Sequence, residues 1–134
     1  MTLVEFIRDY DIDHAFDRIS VDRVEEIENT IGVSFGEQLK KYVVKYGYLG
    51  YKHVELLGVN NHQGINSDMV KQTLKLHEHF EKTKNLIAIE DLGNGDYSMV
   101  DSEDSVYRFV ATNNELIEQN TDLFEYILQR FLDL

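Results

Sequence analysis

The sequence predicts an α+β domain in which a single, mostly antiparallel sheet has helices packed on it. Segments with apolar residues at helical spacing come first, and short apolar runs separated by tight turns dominate the second half of the chain. Consecutive strands joined by short turns favour antiparallel pairing. The chain has 134 residues and no repeat, linker or low-complexity tract, so we expect one domain over residues 1–134.

Two helices are predicted near the start of the chain from their apolar spacing. The first covers residues 2–9. The second covers residues 21–31, where Ser20 can accept a hydrogen bond from the first turn and Gly32 can take the left-handed backbone that ends a helix. The exposed side of this second helix is strongly acidic.

A third helix is predicted to follow a capping box formed by Ser34 and Glu37. A side-chain cap of this kind is worth about 1 kcal/mol, because it satisfies backbone N–H groups that have no partner inside the helix. Gly47 ends this helix, and the apolar run over residues 52–57 reads as a strand.

Two more helices are predicted further along the chain, each from an apolar stripe preceded by a polar residue that can cap it. One covers residues 68–80 and is expected to begin after Asn66 or Ser67. The other closes the chain and is expected to begin after Asn120 or Thr121.

A three-stranded meander is predicted between those two helices. Residues 86–90 are nearly all apolar, which is typical of a central strand. The turn at residues 93–96 contains Gly-Asn-Gly, and these residues tolerate positive φ, so it is expected to form a hairpin. The strands over 96–101 and 106–110 complete the meander.

The charge of the chain restricts its partners. Thirteen Lys and Arg residues against 25 Asp and Glu residues give a net charge of −12. A field of this sign repels phosphate backbones and anionic lipids, so nucleic-acid and membrane-surface roles are not expected.

The chain has no cysteine, its first residues do not resemble a signal peptide, and no run is long enough to span a membrane. We expect a cytoplasmic protein without a cofactor.

One histidine pair resembles a metal site but lacks the required spacing. His77 and His79 are two residues apart on a predicted helix, so their side chains point to different sides. A zinc-binding helix needs two histidines four residues apart. We therefore expect one partly buried and one exposed histidine.

Acidic residues concentrate in two segments. Residues 11–28 contain seven acids and two arginines, a local net charge of −5. The second segment contains six acids and no Lys or Arg: Glu90, Asp91, Asp96, Asp101, Glu103 and Asp104. Three interpretations are open for this second segment: paired carboxylates for acid–base or metal chemistry, a solvated edge, or a surface that faces a partner.

Four closely spaced tyrosines add a second candidate surface. They are Tyr42, Tyr46, Tyr48 and Tyr51. Exposed tyrosines are common in protein-binding hot spots, although tyrosines at this spacing also occur as core residues with polar rims. No nucleophile, base and orienting group come together in the sequence, so we do not expect an enzyme.

Several segments resemble the SUKH superfamily, named for the domain of a yeast cell-wall assembly regulator. The resemblance covers about 110 residues in the family's order. Its segments are residues 25–28, 31–33, 39–47, 54–60, 86–91 and 97–101. The hydrophobic-Pro step of the family is replaced by Phe35-Gly36, in a chain that contains no proline.

The resemblance implies a function as well as a fold. Small bacterial members, including the YobK-like proteins that this chain resembles, are typically non-catalytic immunity proteins that bind a cognate toxin. Those of the YobK type are similar to partners of LXG-type toxins, and the toxin domain is often a nuclease. A basic toxin is the expected partner here. The alternatives are a regulatory scaffold domain of the same fold and a small metal-dependent hydrolase using Glu90, Asp91 and Asp101.

Partner-binding residues are predicted from the acidic segments and the tyrosine cluster. They are Asp11, Asp13, Tyr48, Tyr51, Glu90, Asp91, Asp96, Asp101, Glu103 and Asp104. No catalytic, metal-binding or cofactor-binding residue is predicted.

Overall fold

The computed structural model describes residues 1–15, 18–59 and 68–134 of the chain. In chain order the elements are α1 (Leu3–Asp9), β1 (Asp13–His14), α2 (Val21–Ile31), α3 (Glu37–Lys41), β2 (Leu49–Tyr51), β3 (Val54–Glu55), α4 (Met69–His79), β4 (Ile87–Gly93), β5 (Asp96–Val100), β6 (Ser105–Val110), β7 (Glu115–Asp122) and α5 (Leu123–Leu132). A π-helical turn at Tyr42–Tyr46 continues α3. The predicted α+β class is confirmed.

The strands form two sheets, so the prediction of a single sheet is wrong. The smaller sheet has the order β1-β2-β3, and the larger one has the order β4-β5-β6-β7. All named strand pairs are antiparallel, as predicted. Of the run predicted as one strand over 52–57, only Val54–Glu55 is a strand; residues 52–53 form the turn between β2 and β3, with Lys52 at a φ of 54°. Only Leu57 reaches the larger sheet, through its N–H to the carbonyl of Ile89 at 2.7 Å.

The predicted meander has a fourth strand. The turn between β4 and β5 forms as expected, with Asn94 and Gly95 at φ values of 57° and 85°, the geometry of a tight hairpin turn. After β6 the chain turns at Asn114, in the left-handed region, and continues as β7. β7 lies at the outer edge of the larger sheet.

Three helix ends agree with the sequence and three do not. As predicted, Gly47, at a φ of 75°, ends the helical stretch that begins with α3. Ser20 caps α2 and Gly32 ends it with a φ of 82°. The predicted caps at Asn66 and Ser67 lie outside the described residues, and Asp68 caps α4 instead. α5 begins at a cap provided by Asp122, not by Asn120 or Thr121.

The third difference is the capping box predicted at Ser34, which does not form. α3 begins after Gly36, which has no side chain to cap it. The N–H of Phe35 is instead bound by the carboxylate of Glu28 at 2.7 Å. The N–H groups of α3 itself are bound by Asp104, as described below.

The larger sheet lies between α4 and α5. On one face, the hydroxyl of Tyr97 donates to Oε1 of Gln72 in α4 at 2.9 Å. On the other face, the hydroxyls of Ser98 and Tyr126 lie 2.6 Å apart, and Tyr126 belongs to α5. Neighbouring residues of β5 therefore point to opposite faces, as predicted from the strand period. Both faces are covered, which buries Tyr97, Ser98, Met99 and Val100 together.

Candidate functional site

The turn between β5 and β6 is organised by one carboxylate. Oδ1 of Asp101 accepts the N–H groups of Glu103 and Ser105 at 2.9 and 3.0 Å. Oδ2 of the same residue lies 3.3 Å from the hydroxyl of Tyr107, which donates to it. These three bonds fix the turn so that Glu103 is exposed at its tip.

Tyr107 lies at the centre of an acidic surface. Its Cα pairs with that of Glu118 across β6 and β7, and its ring is half-buried. Burial first, and then the carboxylates of Asp101, Glu118 and Glu103, raise the pKa of the Tyr107 hydroxyl. The hydroxyl therefore stays protonated at neutral pH and can donate. We call this surface, made of Asp101, Glu103, Tyr107 and Glu118, the Tyr107 patch.

Two of the predicted partner-binding acids lie inside the protein. Glu90 and Asp104 are 3% and 7% exposed. The carboxylate of Asp104 turns inward and accepts the N–H groups of Gln38 and Leu39 at 3.0 and 3.1 Å. It therefore caps α3, where its negative charge also faces the positive end of the helix. In this arrangement Asp104 offers no carboxylate to a partner.

Glu90 is the centre of a hydrogen-bonded cluster with α5. Its Oε1 accepts from the hydroxyl of Tyr126 at 2.7 Å, and Arg130 binds the carboxylate through Nε and through NH2 at 3.0 Å. Burial and the nearby charge of Glu90 raise the pKa of the Tyr126 hydroxyl, and hydrogen bonding to Glu90 raises the pKa of Arg130. A buried carboxylate with a cation and a phenol around it is a structural group that holds α5 on the sheet.

Asp91 and Asp96 lie at the other end of β5, in the hairpin. Asp91 is exposed, and its Oδ1 accepts the N–H of Gly93 at 2.9 Å. Asp96 forms an ion pair with Arg108 at 2.9 Å, on the face of the sheet opposite to Tyr107. The four residue-to-residue steps from Tyr97 to Asp101 span about 13 Å along the strand. The structure therefore does not bring Asp91 and Asp96 together with the Tyr107 patch.

The remaining predicted residues belong to the smaller sheet. Asp11 is exposed beside it, and Asp13 is exposed opposite Gly50 in β2. Tyr51 is half-buried among aromatic rings, with its centroid 5.3 Å from that of Phe6 and 5.7 Å from that of Phe131. Tyr48 is also half-buried. These four residues lie in or next to the smaller sheet and not in the meander.

The histidine pair behaves as its spacing indicates. His77 is buried, and its Nε2 donates to the carbonyl of Leu86 at 2.7 Å, while His79 is exposed. Within residues 1–15, 18–59 and 68–134, no three His, Asp or Glu side chains converge to hold a metal ion. None of the helices described is long and apolar enough to cross a membrane.

Comparison with the models of known families shows which family the chain belongs to. The model of the SUKH_5 family, described as SMI1-KNR4 cell-wall, matches residues 2–132. The chain belongs to this SUKH family. A search of curated proteins found no match.

In this SUKH domain, two residues of the Tyr107 patch were missed by sequence reasoning. Tyr107 was assigned only as a strand residue, and Glu118 lies in β7, which was not predicted. A weak signal for β7 exists: Leu116 is half-buried between exposed Glu115 and Ile117, which is the alternation of a strand. It is weak because β7 lies at an edge and buries little apolar surface.

Proposed function

We propose that this SUKH protein is a non-catalytic immunity protein. It binds and neutralises a cognate polymorphic toxin domain of the LXG type, such as a nuclease, through an acidic surface. The observation that carries the proposal is the Tyr107 patch, in which three carboxylates surround one phenol in a chain of net charge −12. Membership of the SUKH family supports the same function.

The chemistry of the patch fits a basic protein surface. Glu103 and Glu118 are exposed, and no ion pair to either is formed within the described residues. Their charges are therefore available to arginine or lysine side chains. Long-range attraction to a basic active-site cleft raises the association rate, and salt weakens it. The half-buried ring of Tyr107 provides an amphipathic contact at the centre, as tyrosines do in binding hot spots.

The first test is growth rescue. The toxin domain encoded beside this gene is induced in a host cell, and this protein is co-expressed with it. Rescue at stoichiometric levels is expected. If both proteins are soluble and growth is not restored by this protein, the immunity proposal for that toxin is wrong.

The second test concerns the surface and uses charge reversal. Asp104 and Glu90 are unsuitable because reversing a buried charge disrupts the fold, and Asp101 holds its own turn. The informative double variant is therefore Glu103→Lys/Glu118→Lys. We expect at least a tenfold lower association rate at low salt, since electrostatic steering contributes about ten- to a thousandfold to such rates.

The matched control changes the net charge equally at other exposed acids. Glu115 lies on β7 but on the opposite face from Glu118, and Asp133 follows α5. Glu115→Lys/Asp133→Lys should slow association much less. Equal effects of the two double variants would mean that only overall charge matters and that the Tyr107 patch is not the binding surface.

A regulatory scaffold domain is the second candidate, and the description of the matching family favours it. That description refers to a cell-wall protein rather than to a toxin partner. The Tyr107 patch would then bind a cellular protein. The growth test separates the two functions, because a scaffold would not rescue growth.

A further inference from the structure

A second surface lies along α2, away from the Tyr107 patch. α2 and the chain that follows it line two adjoining recesses that are open to solvent, and Glu25 and Glu28 line both of them. The smaller recess has a volume of about 90 Å³ and the larger one about 420 Å³. We call the two recesses together the α2 groove.

The smaller recess is an apolar pocket. Besides the two glutamates, it is lined by Val21, Val24, Val44 and Lys40. Val21 is 66% exposed although it is the first residue of α2. A β-branched residue lowers helix propensity slightly. Because Val21 is mostly exposed, it also adds little hydrophobic stabilisation to the fold. The stability of the fold therefore does not explain why a valine stands at this position. Since one water needs about 10–15 Å³ by the same measure, the recess has room for one aliphatic side chain.

The larger recess is polar and acidic. It is lined by Asn29, Val33 and Ser34 besides the two glutamates. Glu28 is held in place because its Oε2 accepts the N–H of Phe35 at 2.7 Å. Glu25 is exposed, and its carboxylate has no hydrogen-bond or ion-pair partner within the described parts of the chain. This recess therefore presents negative charge to a ligand.

We propose that the α2 groove binds a helix of a basic partner protein. That helix places one aliphatic side chain between Val21 and Val44 and an arginine or lysine, about one turn away, against Glu25 and Glu28. Lys40 lies beside the apolar recess only, so it directs the basic group of the ligand to the other end. The lining residues extend along α2 from Val21 to Gly32, about 16 Å at 1.5 Å per residue, which matches about three turns of a partner helix in a groove.

This inference rests on the proposed function for the identity of the partner, which is the basic toxin, but the groove can be tested without the toxin. The probe is a synthetic helical peptide of alanine, leucine and lysine about three turns long. The same peptide with glutamate in place of lysine is the control ligand. Each is titrated into the ¹⁵N-labelled protein, and amide chemical shifts are followed. We expect the lysine peptide to shift amides around Val21, Glu25, Lys40 and Val44, and the glutamate peptide to bind at least tenfold more weakly.

Two variants test whether the groove itself is responsible. Glu25→Lys should weaken the lysine peptide at least about fivefold, as expected when a like charge replaces an attractive one. Glu26→Lys is the matched control, because Glu26 is on the same helix but pairs with Arg23 and does not line the groove. Val21→Ser should also weaken binding, without lowering the melting temperature.

The outcomes separate this inference from the proposed function. Shifts confined to the Tyr107 patch, or equal effects of Glu25→Lys and Glu26→Lys, overturn the α2 groove while leaving the immunity proposal intact. Failure of growth rescue together with groove-specific binding overturns the immunity proposal and leaves the groove as a site for another basic partner.

Discussion

Oδ1 of Asp104 accepts the backbone N–H of Leu39 at 3.1 Å, across 65 residues of sequence. The carboxylate thereby replaces the side-chain cap that α3 lacks at Gly36. The same residue ends the turn that Asp101 organises and has a φ of 65°. One short loop thus supplies both two acids of the Tyr107 patch and the cap of α3.

Replacing Asp104 with alanine should destabilise the protein by about 2 kcal/mol, the upper end of the range for a lost helix cap. The reason is that the N–H groups of Gln38 and Leu39 would be left without their partner. Urea denaturation measures this change. Glu103→Ala is the control, since Glu103 is exposed next to it, and should change stability by less than about 0.5 kcal/mol. Similar losses in the two variants would contradict the capping role.

A methyl group at Gly36 should conflict with that cap. A Cβ added there would lie 2.4 Å from the Asp104 carboxylate, although the backbone φ of −70° suits alanine. Gly36→Ala is therefore expected to be destabilising in the natural chain and much less so in an Asp104→Ala background. A double-mutant cycle measures the difference, and additive effects would show that the carboxylate moves aside freely.

Arg130 should contribute more to the free energy of unfolding than a cation in an exposed ion pair does. Its removal leaves Glu90 buried with only Tyr126 as a side-chain donor, and breaking a buried pair costs about 3–5 kcal/mol. The Arg130 side chain is 33% exposed, so water replaces part of the interaction, and we expect about 2 kcal/mol for Arg130→Met. Lys84→Met removes an exposed pair with Glu81 and should cost less than about 1 kcal/mol. Thermal or urea unfolding of both variants measures the two losses of stability, and equal losses would contradict the role of Arg130.

The protein should lose stability in alkaline solution. Burial raises the pKa of the hydroxyls of Tyr42 and Tyr126 above the usual value. Above about pH 10 the unfolded tyrosine loses its proton first, so the unfolded state binds fewer protons and the free energy of unfolding falls as pH rises. The stabilising contribution is complete below that pH.

Unfolding curves between neutral and alkaline pH measure this effect. Tyr126→Phe should make the alkaline decline shallower, although it lowers stability at neutral pH because Glu90 loses a donor. Tyr10→Phe, at a tyrosine that is 45% exposed, is the control. If stability falls with pH as steeply in Tyr126→Phe as in the natural protein, Tyr126 does not cause the alkaline loss of stability.

Local features of the fold were predictable from the sequence because neighbouring residues determine them. The Ser20 cap, the Gly32 helix end and the Asn94-Gly95 turn each depend on contacts within a few residues. The alternation of Tyr97 and Ser98 between two faces also follows from the strand period alone. Local signals of this kind predicted the α+β class.

Features that depend on distant residues could not be predicted in this way. In the sequence, Asp104 and Glu90 look like surface acids. They are interior groups because they bind residues far away in the chain: Asp104 binds the N–H of Leu39, and Glu90 binds the side chain of Arg130. Glu118 joined the candidate site only when β7 paired with β6 and placed it opposite Tyr107. The acidic segment over 90–104 is therefore divided among two interior carboxylates, one ion pair, one exposed acid in the β4–β5 hairpin and a smaller exposed patch.

The packing of α1 against α5 has a consequence for how the chain folds as it leaves the ribosome. Phe6 lies 5.9 Å, centroid to centroid, from Phe131 as well as 5.3 Å from Tyr51, so the packing of the earliest helix is completed only when the latest of the described elements has formed. α3 likewise waits for Asp104. The first half of the nascent chain must remain incompletely folded until the second half has emerged, and we expect arrested chains ending before α5 to be degraded by proteases that spare the released protein.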